Sequence, residues 1–439
     1  MRFYKKSIIL MPLLLLILLS SVACRKKTQE IADPIVPPPV INPIPTLPIP
    51  PPPIQQAPSL EVGTGSGNLT IDGNSLDLSV IKLLLVKPGT YQSITVKNIN
   101  GTATAPIVIK NNGVVNVSSS IQTDNVSNLT ISGNHVAGVN YGFTLENIPY
   151  RAMVLLNKAN AVTIEYVSFK NVKDYAISGN TNDLAYNGTA VTRTEGLKIM
   201  HCLFDNSGPI AFGGNLDKNS NKDTGFYKEV EISYNTFQNT NWGKLCVFTN
   251  VQDYNIHHNI VNNVNTTNNE HNGIFFMLGN GDFHDNKLTN YQGNAIRMWL
   301  YSRGGSATTN EIYNNICFNT RKYSAFEVQS FDMFLYPGKS TFANVKVFNN
   351  TVGQMNTSKD WEGQILDVYS IPGTIEYYNN LGFNLNTTGG KSITNMIDFQ
   401  GVGKVLKDEN NKYFQAQASA VANTNTFASL VQGIGAPAQ

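Results

Sequence analysis

Over most of the chain, apolar and polar residues alternate in short runs, and these runs return at a nearly constant interval. The shared pattern is apolar-x-apolar-x-x-Asn-x-apolar, in LTISGNHV, VTIEYVSF, LKIMHCLF, VEISYNTF, YNIHHNIV, GDFHDNKL, NEIYNNIC, VKVFNNTV and TIEYYNNL. Their central apolar residues are Ile131, Ile164, Ile199, Ile232, Ile256, Phe283, Ile312, Val347 and Tyr377, spaced by 24 to 35 residues. Alternation with period two turns one side of a short strand inward. Asparagine stands three positions after the anchor except where Val167 and Cys202 replace it. It suits the left-handed backbone of a sharp turn, and its amide can bond the Asn of the adjoining coil. A second strand follows each variable loop, in GIFFM, AIRMW, AFEVQ, ILDVY and MIDFQ. The pattern therefore predicts an all-β stack of coils, each with an apolar strand, an Asn turn, a short third strand and a loop. Residues 59–120 are expected to form an N-terminal cap and first coil, 121–405 the repeats, and 406–439 a C-terminal cap or tail.

With these repeats the chain resembles the pectate-lyase-like superfamily, and the resemblance implies a single-stranded right-handed parallel β-helix, a solenoid. The segment VKPGTYQSITVKNINGTATAPIVIKNNG (86–113) is similar to the opening coil of polysaccharide lyase family 6, the alginate lyase and chondroitinase B group. The likeness lies in its Pro-Gly-Thr-Tyr and Gly-Thr-x-x-x-Pro-Ile-x-Ile elements. That family's Glu-rich strand leading to Lys-Ser and its Leu-Arg-His-Gly strand are missing, as are the paired-Asp and Arg-Ile-Lys signatures of polygalacturonases. An enzyme on this scaffold would need a rebuilt site.

The N-terminus gives an address. Arg2, Lys5 and Lys6 precede the apolar run Ile8–Leu19 and then Ser-Ser-Val-Ala-Cys, the layout of an export signal. The run is too short to span a bilayer. Cysteine after a small residue resembles the bacterial lipobox, with Cys24 lipidated and Ser21 where Leu is usual. Residues 1–23 are thus expected to be the signal, and 24–58 a lipidated Cys followed by a proline-rich linker. Polyproline II rising about 3.1 Å per residue gives the tract from Asp33 to Pro58 a reach of roughly 80 Å. The implied location is the bacterial cell envelope, as an outer-membrane lipoprotein on either face, touching membrane through the lipid alone.

Composition narrows the partners. A net charge of +2 over 439 residues offers no basic field for nucleic acid, and 14% charged residues suit an exported β-rich protein. Beyond Cys24 stand Cys202, Cys246 and Cys317, an odd number that argues against a disulfide framework. Cys202 and Cys317 fall at inward positions. The chain is expected to be a monomer.

Aligning the second strands on Ile274, Ile296, Phe326, Leu366 and Ile397 stacks Phe275, Arg297, Glu327, Asp367 and Asp398 in one outward, exposed column. Met277, Trp299, Gln329, Tyr369 and Gln400 form its neighbour. Carboxylates one coil apart, about 4.8 Å, approach the separation of a retaining glycosidase pair, and mutual repulsion raises one pKa. Alternatively they bind Ca²⁺, which neutralises a uronate while Arg297 or a Lys takes the α-proton. The plainest alternative is a solvated face on which Arg297 pairs with Glu327. A second stripe, His257, His284, Tyr313, Phe348 and Tyr378, would offer flat rings to sugar faces. His257 and His284 lack an evident carboxylate partner, so no metal site is assigned; His201 and His258 fall in the turn. The functional expectation is binding, with lyase or hydrolase cleavage, of an acidic, uronate-containing polysaccharide. Its rival is a non-catalytic adhesin or glycan-binding rod.

Overall fold

The computed structural model describes residues 58–180, 184–217, 219–268, 271–303, 306–330, 343–386 and 396–439. Cys24, the signal segment and the proline tract before Pro58 lie outside them. The described chain is all-β and forms a parallel β-helix. Strands pair in parallel with the strand one coil away, apart from the hairpin Asn215–Asp217/Lys222–Thr224 and a few isolated antiparallel bridges.

The anchors make the stack. Ile131, Ile164, Ile199, Ile232, Ile256, Phe283, Ile312, Val347 and Tyr377 are successive register partners. All are at most 2% exposed, and each such side chain contributes roughly 1.5–3 kcal/mol by leaving water. The same register runs back through Ile109, Leu84 and Leu60. Forward of it, Gly403–Glu409 and Lys412–Phe414 pair with Ile371–Tyr378 and Leu381–Leu385. After them Val421, Phe427 and Ile434 cover Ile316, Leu381 and Phe383. Third strands contribute rings of their own: Phe169, Phe204 and Phe237 stack at 5.0 and 4.6 Å.

The turn divides its two tasks between two residues. Left-handed backbone falls two positions after the anchor, at Tyr166, His201, Tyr234, His258, Asp285, Asn314, Asn349 and Asn379, with φ from 53° to 57°. The Asn three positions after the anchor was expected to take that conformation and instead turns its amide inward. Along Asn235, Asn259, Asn286, Asn315, Asn350, Asn380 and Asn411, each but the last donates its backbone N and Nδ2 to the Oδ1 of the next rung at 2.9–3.1 Å. Each Nδ2 also donates to the anchor carbonyl of the coil before, at 2.8–3.0 Å. Buried amides are thereby satisfied along the axis. Asn134 stays outside this ladder, exposed and bonded to Ser132. A second, outer series of left-handed asparagines marks the following turn, with Asn171, Asn206, Asn263 and Asn319 each donating to the Asn one coil back at 2.6–3.0 Å.

Cys202, Cys246 and Cys317 are free and buried. Burial pushes the Cys202 and Cys317 thiols up to about 12, which makes them packing groups rather than nucleophiles.

Candidate functional site

Second strands stack with the outward residues in one continuous column: Ser178, Ala211, Val247, Phe276, Arg297, Glu327, Asp367 and Asp398. The first member expected for this column, Phe275, is instead buried against Ile296, and Phe276 takes its place. Likewise Leu278, not Met277, stands beside Trp299. Ile274, Phe275 and Phe276 are consecutive apolar residues, and such a run carries no phase.

The carboxylates were expected on an exposed face, and they are buried: Glu327 is 0%, Asp367 3% and Asp398 8% exposed. Arg297 Nε donates to Glu327 Oε1 at 2.8 Å, with Nη2 2.7 Å from the same oxygen, while Nη1 donates to the His271 carbonyl at 3.1 Å. The His271 ring lies flat on Tyr323, centroids 4.1 Å apart, and its Nε2 donates to Asn294 Oδ1 at 2.9 Å. Glu327 Oε2 is 3.1 Å from that nitrogen, yet no hydrogen bond reaches it. One coil on, Ser324 Oγ donates to Asp367 Oδ1 at 2.8 Å.

Oxygens of Glu362, Asp367 and Asp398 lie within 4.8 Å of one another. Burial pushes the Asp367 carboxyl well above its ordinary range; the Ser324 hydrogen bond opposes this, and Glu327, Glu362 and Asp398 add to the rise. In kind, three carboxylates suit Ca²⁺, though they supply only part of the roughly six to eight oxygens it takes. Tyr369, half-buried beside them, has its phenol raised by burial and by Asp367 and Glu327. Trp299 meets Phe276 edge-on at 5.4 Å in a small apolar group with Leu216, Leu278 and Tyr301.

A raised folded-state pKa means that the folded protein binds the proton more tightly than the unfolded chain. The contribution of Asp367 is therefore complete below the unfolded value of 3.8 and is lost as pH rises through the folded value. Asp367→Asn keeps the neutral shape. It should flatten the fall in stability above about pH 4 and match or exceed the wild type near pH 7–8, as read by urea melts across pH.

The aromatic stripe is self-stacked. His257–His284, His284–Tyr313, Tyr313–Phe348 and Phe348–Tyr378 have centroids 4.6–5.0 Å apart and planes within 7°. Lys407 Nζ lies 3.8 Å from the Tyr378 centroid at the end of the row. Ring faces are used up by neighbouring rings, leaving edges to solvent, so His257, His284, Tyr313 and Tyr378 cannot offer sugars the flat surfaces expected of them. Tyr313→Leu is accordingly expected to lower stability by about 1 kcal/mol, as read by urea melts.

Toward the N-terminal end the same column opens into a groove of about 340 Å³, lined by Arg151, Tyr175, Ser178, Ala211, Val247 and Thr249 among others. Arg151, 34% exposed, lies 5.2 Å from the centroids of both Tyr150 and Tyr175 and 3.5 Å from Asp174. On the next coil Lys244 stands 4.6 Å over the Phe276 ring. Sequence reading missed this groove because its floor residues are small and carry no repeated chemistry; the short strands in AISGN, PIAFGG and LCVFTN were the available signal.

No family model matches the sequence, and no curated protein does. Among solved structures the chain is similar to a PL6 family polysaccharide lyase from Pseudopedobacter saltans, with TM-score 0.42 and 13% identity over 85% of this chain and 96% of that one. It is also similar to the catalytic unit of a GH87 α-1,3-glucanase from Streptomyces thermodiastaticus, with TM-score 0.42 and 12% identity over 82% and 71%. The A-module of a mannuronan C-5 epimerase from Azotobacter vinelandii gives TM-score 0.29 and 11% identity over 76% and 91%. At this level of similarity none of them bears on the substrate or the chemistry of this chain.

Proposed function

We propose that the protein is a glycan-binding right-handed β-helix, a single-stranded solenoid, that holds an acidic polysaccharide along the outward face of its second strands. The groove around Arg151 carries this reading. It joins a partly exposed guanidinium, beside Asp174 and two tyrosine rings, to a floor of small residues. Uronate carboxylates suit the cation, and sugar C–H faces suit the rings. The column from Arg297 to Asp398 is largely buried, with Glu327 partnered by Arg297, Asp367 by Ser324 and Asp398 by Gln400, which favours a binding rod over an open catalytic cleft. Export through the signal segment, a lipid on Cys24, the proline spacer, the outer membrane and a monomeric state complete the proposal.

Cleavage is the second reading, and one observation favours it. Asp367, a carboxyl whose pKa burial raises, is one coil from the Arg297-bound carboxylate of Glu327, a pairing suited to acid–base work.

A panel of polygalacturonate, alginate and neutral glucan tests both readings on residues 58–439. Binding is read by calorimetry, and turnover by unsaturated-uronate absorbance and reducing ends. Binding to an acidic chain that weakens roughly 10- to 100-fold in Arg151→Ala and survives Glu327→Gln is the expected result. Turnover abolished by Glu327→Gln and Asp367→Asn would establish the second reading. Failure of every acidic glycan to bind, or indifference to Arg151→Ala, would overturn the first.

A further inference from the structure

On the opposite flank of the coil, the turn after Ile256 and the turn after Phe283 bring ligating groups together. Those of His258, His284 and Asp285 lie within 4.8 Å of one another. Sequence reading found no carboxylate for the histidines because Asp285 occupies the left-handed turn position, which the other coils fill with Tyr, His or Asn. His258 and Asp285 hold the same position on successive coils, with φ of 54° and 53°, and this places them side by side.

The rings are fixed in advance. His284 is sandwiched between His257 at 4.9 Å and Tyr313 at 4.6 Å, and His258 stacks on Tyr234 at 4.8 Å. His284 Nε2 donates to Asn255 Oδ1 at 2.8 Å. Its Nδ1 lies 2.7 Å from Asp285 Oδ2, a contact that a proton bridges in the metal-free protein and that a metal ion can take over. The neighbouring coil repeats the arrangement, with His257 Nδ1 and His258 Nδ1 2.9 Å apart. Fixing the far imidazole nitrogen by an oxygen acceptor is how metal-ligating histidines are held. Tetrahedral bonds of about 2.0–2.1 Å set two ligand atoms roughly 3.3 Å apart, so a metal replacing the proton would open the His284–Asp285 gap by about half an ångström. His258 is exposed, so an ion can enter from solvent and keep water on its open positions.

We propose that His258, His284 and Asp285 bind a divalent transition-metal ion of the Zn²⁺ class, tying one coil to the next at the turn. Imidazole with one carboxylate selects Zn²⁺, Ni²⁺, Co²⁺ or Cu²⁺ and leaves Ca²⁺ unbound. This site is independent of the glycan groove. It also differs from the Glu362–Asp367–Asp398 trio, which offers oxygen alone.

The test is calorimetric titration of the full chain, stripped with EDTA, using Zn²⁺, Co²⁺ and Ca²⁺, with Co²⁺ absorption as a reporter of nitrogen ligands. One equivalent of Zn²⁺ is expected, with a rise in Tm and with no competition from Ca²⁺. His258→Ala, whose side chain lies at the surface, and Asp285→Asn, which the turn accommodates, should each weaken it roughly 10- to 100-fold. Glu327→Gln and Asp398→Asn should leave it unchanged. Absence of Zn²⁺ binding, binding that survives His258→Ala with Asp285→Asn, or binding that follows Asp398→Asn would each overturn the proposal.

Discussion

Asn315→Ala is expected to lower the unfolding free energy by about 4 kcal/mol. Asn315 is fully buried, donates to the Phe283 carbonyl and to Asn350 Oδ1, and accepts from the backbone N and Nδ2 of Asn286. Alanine leaves the Phe283 carbonyl and the Asn286 N–H without partners in the interior. Each orphaned buried group costs about 1–3 kcal/mol. Asn290→Gly is the control: it removes an exposed rung, keeps the left-handed backbone, and should cost under about 1 kcal/mol. Urea unfolding of both variants decides the matter. Equal, small losses would mean that the inner ladder is not satisfied as described.

Arg297→Met should be nearly as severe, at about 3–5 kcal/mol, because it strands the Glu327 carboxylate at 0% exposure. The pair is expected to be strongly coupled. Arg297→Met with Glu327→Gln should recover most of the loss, since an uncharged pair carries no uncompensated ion. A double-mutant cycle by chemical denaturation measures this. Additive losses would show that the two residues act separately and that burial of the column has another origin.

Much of the fold was legible in the sequence. Each anchor is an apolar residue flanked by alternation, so it reports its own inward direction, and all nine stack in the order read. The Asn ladder was legible too, since a polar residue recurring amid apolar ones needs a partner that repetition supplies. Its neighbour's left-handed turn was not, because Tyr166, His201, Tyr234 and His258 stand there without the composition of a turn.

The candidate site was read less well. Register alone put Arg297, Glu327, Asp367 and Asp398 together, but no alternation pattern shows what the intervening loops cover. The self-stacking of His257, His284, Tyr313 and Tyr378 follows from the coil rise, at which flat rings in register meet each other before any ligand. The groove at Arg151 escaped notice because most of its floor residues are small and repeat no chemistry.

Hydroxyl-radical footprinting of residues 58–439, with and without saturating polygalacturonate, tests the groove most directly. Protection is expected at Tyr175 and Val247, with exposed Tyr234 and Trp361 unchanged. Protection confined to Tyr234 or Trp361, or no protection at concentrations that saturate binding, would contradict it.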